Sequence, residues 1–146
     1  MLCAPTEVTR LPEEGTAMPK ATQLVISLES KPGVLAKVCR TLANAGVNIT
    51  ALYAGEAAGR GKIRLLVSDR AEAVAALKAA KYRVSEEPVF TQVLENRPGI
   101  MAELAERLAQ ARINVKYAYA TTATQSGATV VLSVSNVDKA AALLGY

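Results

Sequence analysis

Between Thr22 and Glu29 the apolar residues Leu24, Ile26 and Leu28 alternate with Gln23, Val25 and Ser27, the period-two pattern of a strand with one buried face. After Ser30-Lys31-Pro32-Gly33 the period lengthens. Val34, Leu35, Val38, Leu42 and Ala45 fall on one side of a helix, with Lys37, Arg40, Thr41 and Asn44 on the other. Gly46 ends that helix at a position suited to a left-handed residue. Val47 to Ala54 then reads as a second strand, GEAAGRG as a flexible hairpin loop, and Lys62 to Ser68 as a third strand with Ile63, Leu65 and Val67 inward. Asp69 supplies an N-cap for a second helix, Arg70 to Ala80, which carries Val74 and Leu77, and Tyr82 to Glu86 reads as a short fourth strand.

The pattern is then written a second time. LESKPGVLAKVCRTLANAGVNITALYA from Leu28 returns, at an offset of 66 and without a gap, as LENRPGIMAELAERLAQARINVKYAYA from Leu94. Pro32/Pro98, Gly33/Gly99, Asn48/Asn114 and Tyr53/Tyr119 are identical pairs, and Val34/Ile100 and Ile49/Val115 exchange one aliphatic for another. The second copy runs through Val89 to Glu95, a helix from Gly99 to Ala111, Asn114 to Ala120, the loop TTATQSGA, Thr129 to Val134, and Asn136 capping Val137 to Leu144. Its helix keeps the polar face but not the charge: Glu103, Glu106, Arg107 and Gln110 stand where Lys37, Arg40, Thr41 and Asn44 stood. The sequence stops at Tyr146, where a last strand of this copy would begin. The neighbouring edge is then completed by another segment, by a partner chain, or left open.

Strand, helix, strand, strand, helix, strand in this order is the βαββαβ, ferredoxin-like arrangement, an α+β fold with an antiparallel sheet and both helices on one face. The expected organisation is a flexible leader over residues 1–20, a first module over 21–87 and a second over 88–146, with Met18 as an alternative start. On the uncovered sheet face Val25, Leu66, Val93 and Val131 are expected to be exposed. That exposure predicts pairing of the copies and of two chains, hence a homodimer.

Composition narrows the function classes. The chain has 146 residues, 51% of them hydrophobic and 21% charged, the profile of a globular protein. It contains no His and no Trp, which removes the commonest general base and the commonest transition-metal ligand, so neither catalysis nor a cofactor or metal is expected. Its formal charge is +4, but the basic residues are scattered along the sequence, which argues for a solvated surface and against a nucleic-acid partner. No apolar run reaches the roughly 20 residues a membrane helix needs, and no secretory signal opens the chain, so a cytoplasmic location is expected. Cys3 and Cys39 read as two reduced thiols.

Candidate chemistry gathers at the two Pro-Gly turns. Pro32 and Pro98 fit the first helical position, and Gly33 and Gly99 leave the backbone bare, so each helix start offers open N–H donors and a positive dipole end to a carboxylate. Ser30 and Asn96 add a polar side chain there, and Asn48 and Asn114, at the entry of the following strand, add an amide. Such a set suits a zwitterionic amino acid, although the same residues also serve the geometry of a strand-to-helix turn.

Ser30-Lys31-Pro32-Gly33-Val34-Leu35 with Gly46-Val47-Asn48-Ile49, and Asn96-Arg97-Pro98-Gly99-Ile100-Met101 with Ile113-Asn114-Val115, resemble the ACT domain, a small-molecule-binding regulatory module. The resemblance covers residues 22–146. It implies an amino-acid effector bound at the interface between paired modules, by Ser30 to Leu35 and Asn96 to Met101 with strand contacts from Asn48, Ile49, Asn114 and Val115. It also implies a stand-alone regulatory protein, acting in trans on a metabolic enzyme or regulator. The sequence departs from the family where Ser30 and Asn96 replace a frequent Asp, which removes a carboxylate for a ligand ammonium. It departs again where Arg112 replaces the Gly46 equivalent, which predicts a differently shaped second turn. Two rival classes share the strand order. An RNA-binding module would need base-stacking aromatics on strands that here read VISL and RLLV, a protein-interaction module with this fold is the other non-enzymatic alternative, and an acylphosphatase-like enzyme would need its Arg loop, for which Arg97 is matched only by Lys31.

Overall fold

The computed structural model describes residues 20–121 and 127–144. The expected leader, Cys3 and the middle of the TTATQSGA loop lie outside these residues. Ten elements follow one another. They are β1 (Lys20–Glu29), α1 (Val34–Asn44), β2 (Ile49–Ala57), β3 (Arg60–Val67), α2 (Arg70–Ala79), β4 (Val84–Leu94), α3 (Ile100–Gln110), β5 (Val115–Ala120), β6 (Ala128–Val134) and α4 (Val137–Leu143). The chain divides into two compact units, one spanning Thr22–Glu87 and the other Pro88–Tyr146 together with the residues preceding Thr22. The fold is α+β, in tandem ferredoxin-like modules.

In the first unit β3 lies between β2 and β1, antiparallel to both, and β4 flanks β1 on its other side. Leu24 and Ile26 of β1 and Ile63 and Leu65 of β3 project to one face, where they meet Val38 and Leu42 of α1 and Ala73 and Leu77 of α2. All eight side chains are buried, as the two periodicities require. The Asp69 side chain accepts a hydrogen bond from the Glu72 amide at 3.1 Å and so caps α2.

The second unit repeats this plan, with β6 antiparallel to β4 and β5. Phe90 and Leu94 of β4 and Leu132 and Val134 of β6 pack under Leu104 and Leu108 of α3 and Ala140 and Ala141 of α4. Asn136 caps α4 through the Lys139 amide at 2.9 Å. The duplication extends to irregularities: the register shifts between Ile49 and Ala51 in β2 and between Val115 and Tyr117 in β5, at matching positions.

Several sequence expectations are corrected. The fourth strand of the first copy and the first strand of the second are one element, β4, which runs unbroken through Pro88. Lys20 and Ala21, at the start of β1, belong to the second unit, where Lys20 Nζ meets Asp138 of α4 at 2.8 Å. GEAAGRG is a tight hairpin. Ala57 pairs with Arg60, and Ala58 and Gly59 both take positive φ (56° and 77°), the twist a two-residue turn requires.

Arg112 adopts the same left-handed conformation as Gly46 (φ 60° against 76°). Ile113 N donates to Leu108 O at 2.9 Å as Val47 N does to Leu42 O at 3.0 Å, so the second helix ends in the same shape as the first. Finally, Val25 and Val131 are buried on the face away from the helices. Val25 lies directly across from Arg64, and Val131 lies between Thr91 and Tyr119 in the ladder.

Candidate functional site

The Pro-Gly turns are built differently from the expected helix start. Gly33 has φ 90° and ψ −14°, Gly99 has φ 90° and ψ −12°, and each is the residue before its helix. With Val34 N donating to Lys31 O at 3.3 Å and Ile100 N to Arg97 O at 3.4 Å, these are type II turns with Pro and then Gly at the centre. Pro32 and Pro98 therefore stand two residues before their helices, not at the first helical position. The chemical consequence is kept. No side chain caps α1, the first bond inside that helix runs from Lys37 N to Gly33 O at 3.0 Å, and the amides of Leu35 and Ala36 make no hydrogen bond among the described residues. These donors face outward at a positive dipole end.

At the first turn the fold opens a pocket of about 200 Å³. Ser30, Lys31, Val34 and Leu35 come from the turn and α1, Leu28 and Glu29 from the end of β1, and Ala54 to Glu56 with Gly61 to Ile63 from the β2–β3 hairpin. Its apolar lining comes from Leu28, Val34, Leu35, Ala54 and Ile63. Polar groups sit at both charges. Lys31 lines the pocket, and Glu56 reaches back so that its Oε1 accepts a hydrogen bond from Ser30 Oγ at 2.6 Å. Glu29 lies 3.5 Å from Lys31 Nζ. A carboxylate, that of Glu56, thus stands beside Ser30, from which it is twenty-six residues along the chain. No sequence signal marked it, because only the tight Ala58-Gly59 turn carries β2 far enough to place Glu56 against Ser30.

The second turn has the same backbone and different electrostatics. Arg97 donates to Glu95 Oε1 at 2.6 Å and to both oxygens of Glu103, at 3.0 Å and 2.9 Å. Those hydrogen bonds, from Glu103 first and Glu95 second, hold the guanidinium above its usual range, and the bonds from Arg97 hold the Glu103 carboxyl below its own. Glu103 lies in the first turn of α3, where an anion is favoured, and so the second helix start has an acidic partner from its own chain. Met101 is as exposed as Leu35, 41% in each case.

The two strand-entry asparagines are not brought to the turns of their own units. Asn48 exchanges bonds with Ser68, its amide donating to Ser68 Oγ at 3.0 Å and its carbonyl accepting from Ser68 N at 2.9 Å, and Asn114 does the same with Ser135. Both follow the far end of an eleven-residue helix, roughly 16 Å from its start. Ile49 and Val115 lie beside them, packed against the cores. Among the described residues no group of three or more acidic or thiol side chains could hold a metal ion, and no helix is long and apolar enough to cross a membrane.

Comparison with known proteins gives the following. A family profile described as an ACT domain pair matches residues 20–144. The solved structure of protein BT0572 from Bacteroides thetaiotaomicron is 35% identical, with 86% of this chain and 87% of that one covered and a TM-score of 0.81. The ligand-free regulatory subunit of aspartate kinase from Thermus thermophilus is 17% identical over 88% of this chain and 91% of that one, with a TM-score of 0.63. The corresponding subunit from Thermus flavus is 16% identical over 88% and 92%, with a TM-score of 0.60. These last two are alike in fold. No curated protein matches the chain.

Proposed function

Because the chain belongs to the ACT domain pair family, we propose that it is a non-catalytic regulatory protein whose first turn binds a free amino acid. The single observation carrying this reading is the pocket at the first turn, lined by Ser30 and Lys31, by Val34 and Leu35 of the uncapped helix start, by Glu56, and by the apolar Leu28, Ala54 and Ile63. A carboxylate is drawn to the amides and the dipole, an ammonium to Glu56, and an aliphatic side chain to Val34, Leu35 and Ile63. The second turn, with Arg97 and Glu103 paired, serves structure and not ligand binding.

Occupancy of the pocket would tie α1 to the β2–β3 hairpin and shift the chain towards the form its target recognises. That target is a metabolic enzyme or regulator acting in trans. A homodimer belongs to the same reading: β2 is an edge strand with Leu52 41% exposed, and a second copy would cover it.

The reading is supported by the turn geometry and by fold likeness to regulatory subunits. A thermal-shift screen with the common amino acids tests it. One or a few amino acids are expected to raise Tm in a saturable way, and no rise with any of them at millimolar concentration would refute amino-acid binding.

A further inference from the structure

On the first unit's sheet a second pocket, of about 350 Å³, adjoins the first and shares Gly55, Glu56, Gly61 and Lys62 with it, while its Arg60, Arg64, Tyr53 and Ser27 play no part in the amino-acid site. It is lined by Ser27 of β1, by Tyr53, Glu56 and neighbours of β2, and by Arg60, Lys62 and Arg64 of β3. The three cations occupy alternate positions of one strand and so project to one side, opposite the buried Ile63 and Leu65. Across the ladder Tyr53 faces Arg64, Gly55 faces Lys62, and Ser27 faces Lys62 from the other side. The Arg64 guanidinium lies over the Tyr53 ring, 5.6 Å from its centre. The Tyr53 hydroxyl extends along the strand over Gly55, 3.2 Å from where a side chain at that position would begin.

We propose that this pocket binds a small phosphate ester, of mononucleotide size or less. Its side-chain inventory is dominated by donors: two guanidiniums, an ammonium and two hydroxyls stand against one carboxylate, and that one, Glu56, already accepts from Ser30. Arg60 and Lys62 form no ion pair among the described residues, so their charge is open to an anion. Guanidiniums match the oxygens of a phosphate with paired donors.

The fold does not demand these residues. In the second unit the position facing Tyr119 is Val131, where Arg64 faces Tyr53, and the position matching Lys62 is Thr129, whose carbonyl accepts from Thr121 N at 2.8 Å. The same sheet is therefore built with uncharged residues there. Like charges at alternate positions of a strand repel, a cost that an anionic ligand removes. The pocket volume falls in the range of small-ligand sites.

The test is a titration of the full-length chain with inorganic phosphate, ribose 5-phosphate and adenosine monophosphate, and separately with single-stranded oligonucleotides of increasing length. Binding is followed by amide NMR shifts. The proposal predicts saturable shifts confined to residues 53–57 and 60–64, weakened by salt. Replacing Arg60 and Arg64 together (R60Q/R64Q) is expected to weaken binding roughly ten-fold or more, and R60Q alone several-fold with Tm unchanged. R60Q keeps the test decisive if the half-buried Arg64 proves necessary for folding. Shifts that do not saturate, that spread over the surface, or that persist unchanged in R60Q would overturn it. An affinity that rises steadily with oligonucleotide length would replace it with a nucleic-acid surface.

Discussion

Arg97 grips Glu103 with two parallel hydrogen bonds, Nη1 to Oε2 at 3.0 Å and Nη2 to Oε1 at 2.9 Å. At the same two positions of the first copy the chain has Lys31 and Lys37. The first turn of α3 thus carries its own carboxylate, and the first turn of α1 carries none.

The pH dependence of the Arg97–Glu103 pair follows from its direction of shift. Arg97 lowers the Glu103 carboxyl, so the folded value lies below the unfolded one, near 4.3. The pair's contribution is therefore fully present above that value and is lost as pH falls through the depressed one. Comparing Tm of the wild type and E103Q from pH 7 downwards should show a small gap that closes in acid. The gap is small because both groups are solvated.

Moving the carboxylate to the first copy should close that site. In K37E, a Glu in the first turn of α1 near Lys31 competes with a ligand carboxylate for the dipole and the cation. Amino-acid affinity, read by calorimetry, is expected to fall about five- to ten-fold, the effect of a charge of the wrong sign at a helix start. An affinity equal to that of the wild type would show that the ligand carboxylate lies elsewhere.

Gly33 and Gly99 are both held at φ 90° with nothing within 4 Å of an added side-chain carbon. Replacing either by Ala costs backbone conformation and not space, so G33A and G99A should each lose roughly 1–2 kcal/mol in urea unfolding. A much larger loss in one of them would reveal a steric clash that the structure does not contain.

Arg112 and Gly46 make the same left-handed helix stop, and only Gly does so without strain. R112G is expected to gain up to about 1 kcal/mol, and G46A to lose a similar amount. Equal and opposite Tm shifts check the pair.

Much of this was legible in the sequence. The periodicity of Leu24/Ile26 against Val38/Leu42, the caps at Asp69 and Asn136, and the repeat at an offset of 66 specify both cores, because burial and capping are local patterns. What escaped depends on partners distant in sequence. Val25 and Val131 are buried on the face away from the helices, which their own period-two pattern does not reveal. At the candidate site, the turns and their open amides follow from Pro-Gly, whereas Glu56 does not, since its approach to Ser30 depends on Ala58 accepting a positive φ. Asn48 showed the reverse limit: a motif read as one constellation is divided by the length of the helix between its parts.

The most direct measurement is the stoichiometry of amino-acid binding by isothermal titration calorimetry on the wild type and on E56Q. With only the first turn open, the account predicts one molecule bound per chain and an affinity roughly ten-fold weaker in E56Q, the loss of a charge-assisted contact to the ligand ammonium. Two equivalent molecules per chain, or an affinity indifferent to Glu56, would contradict it.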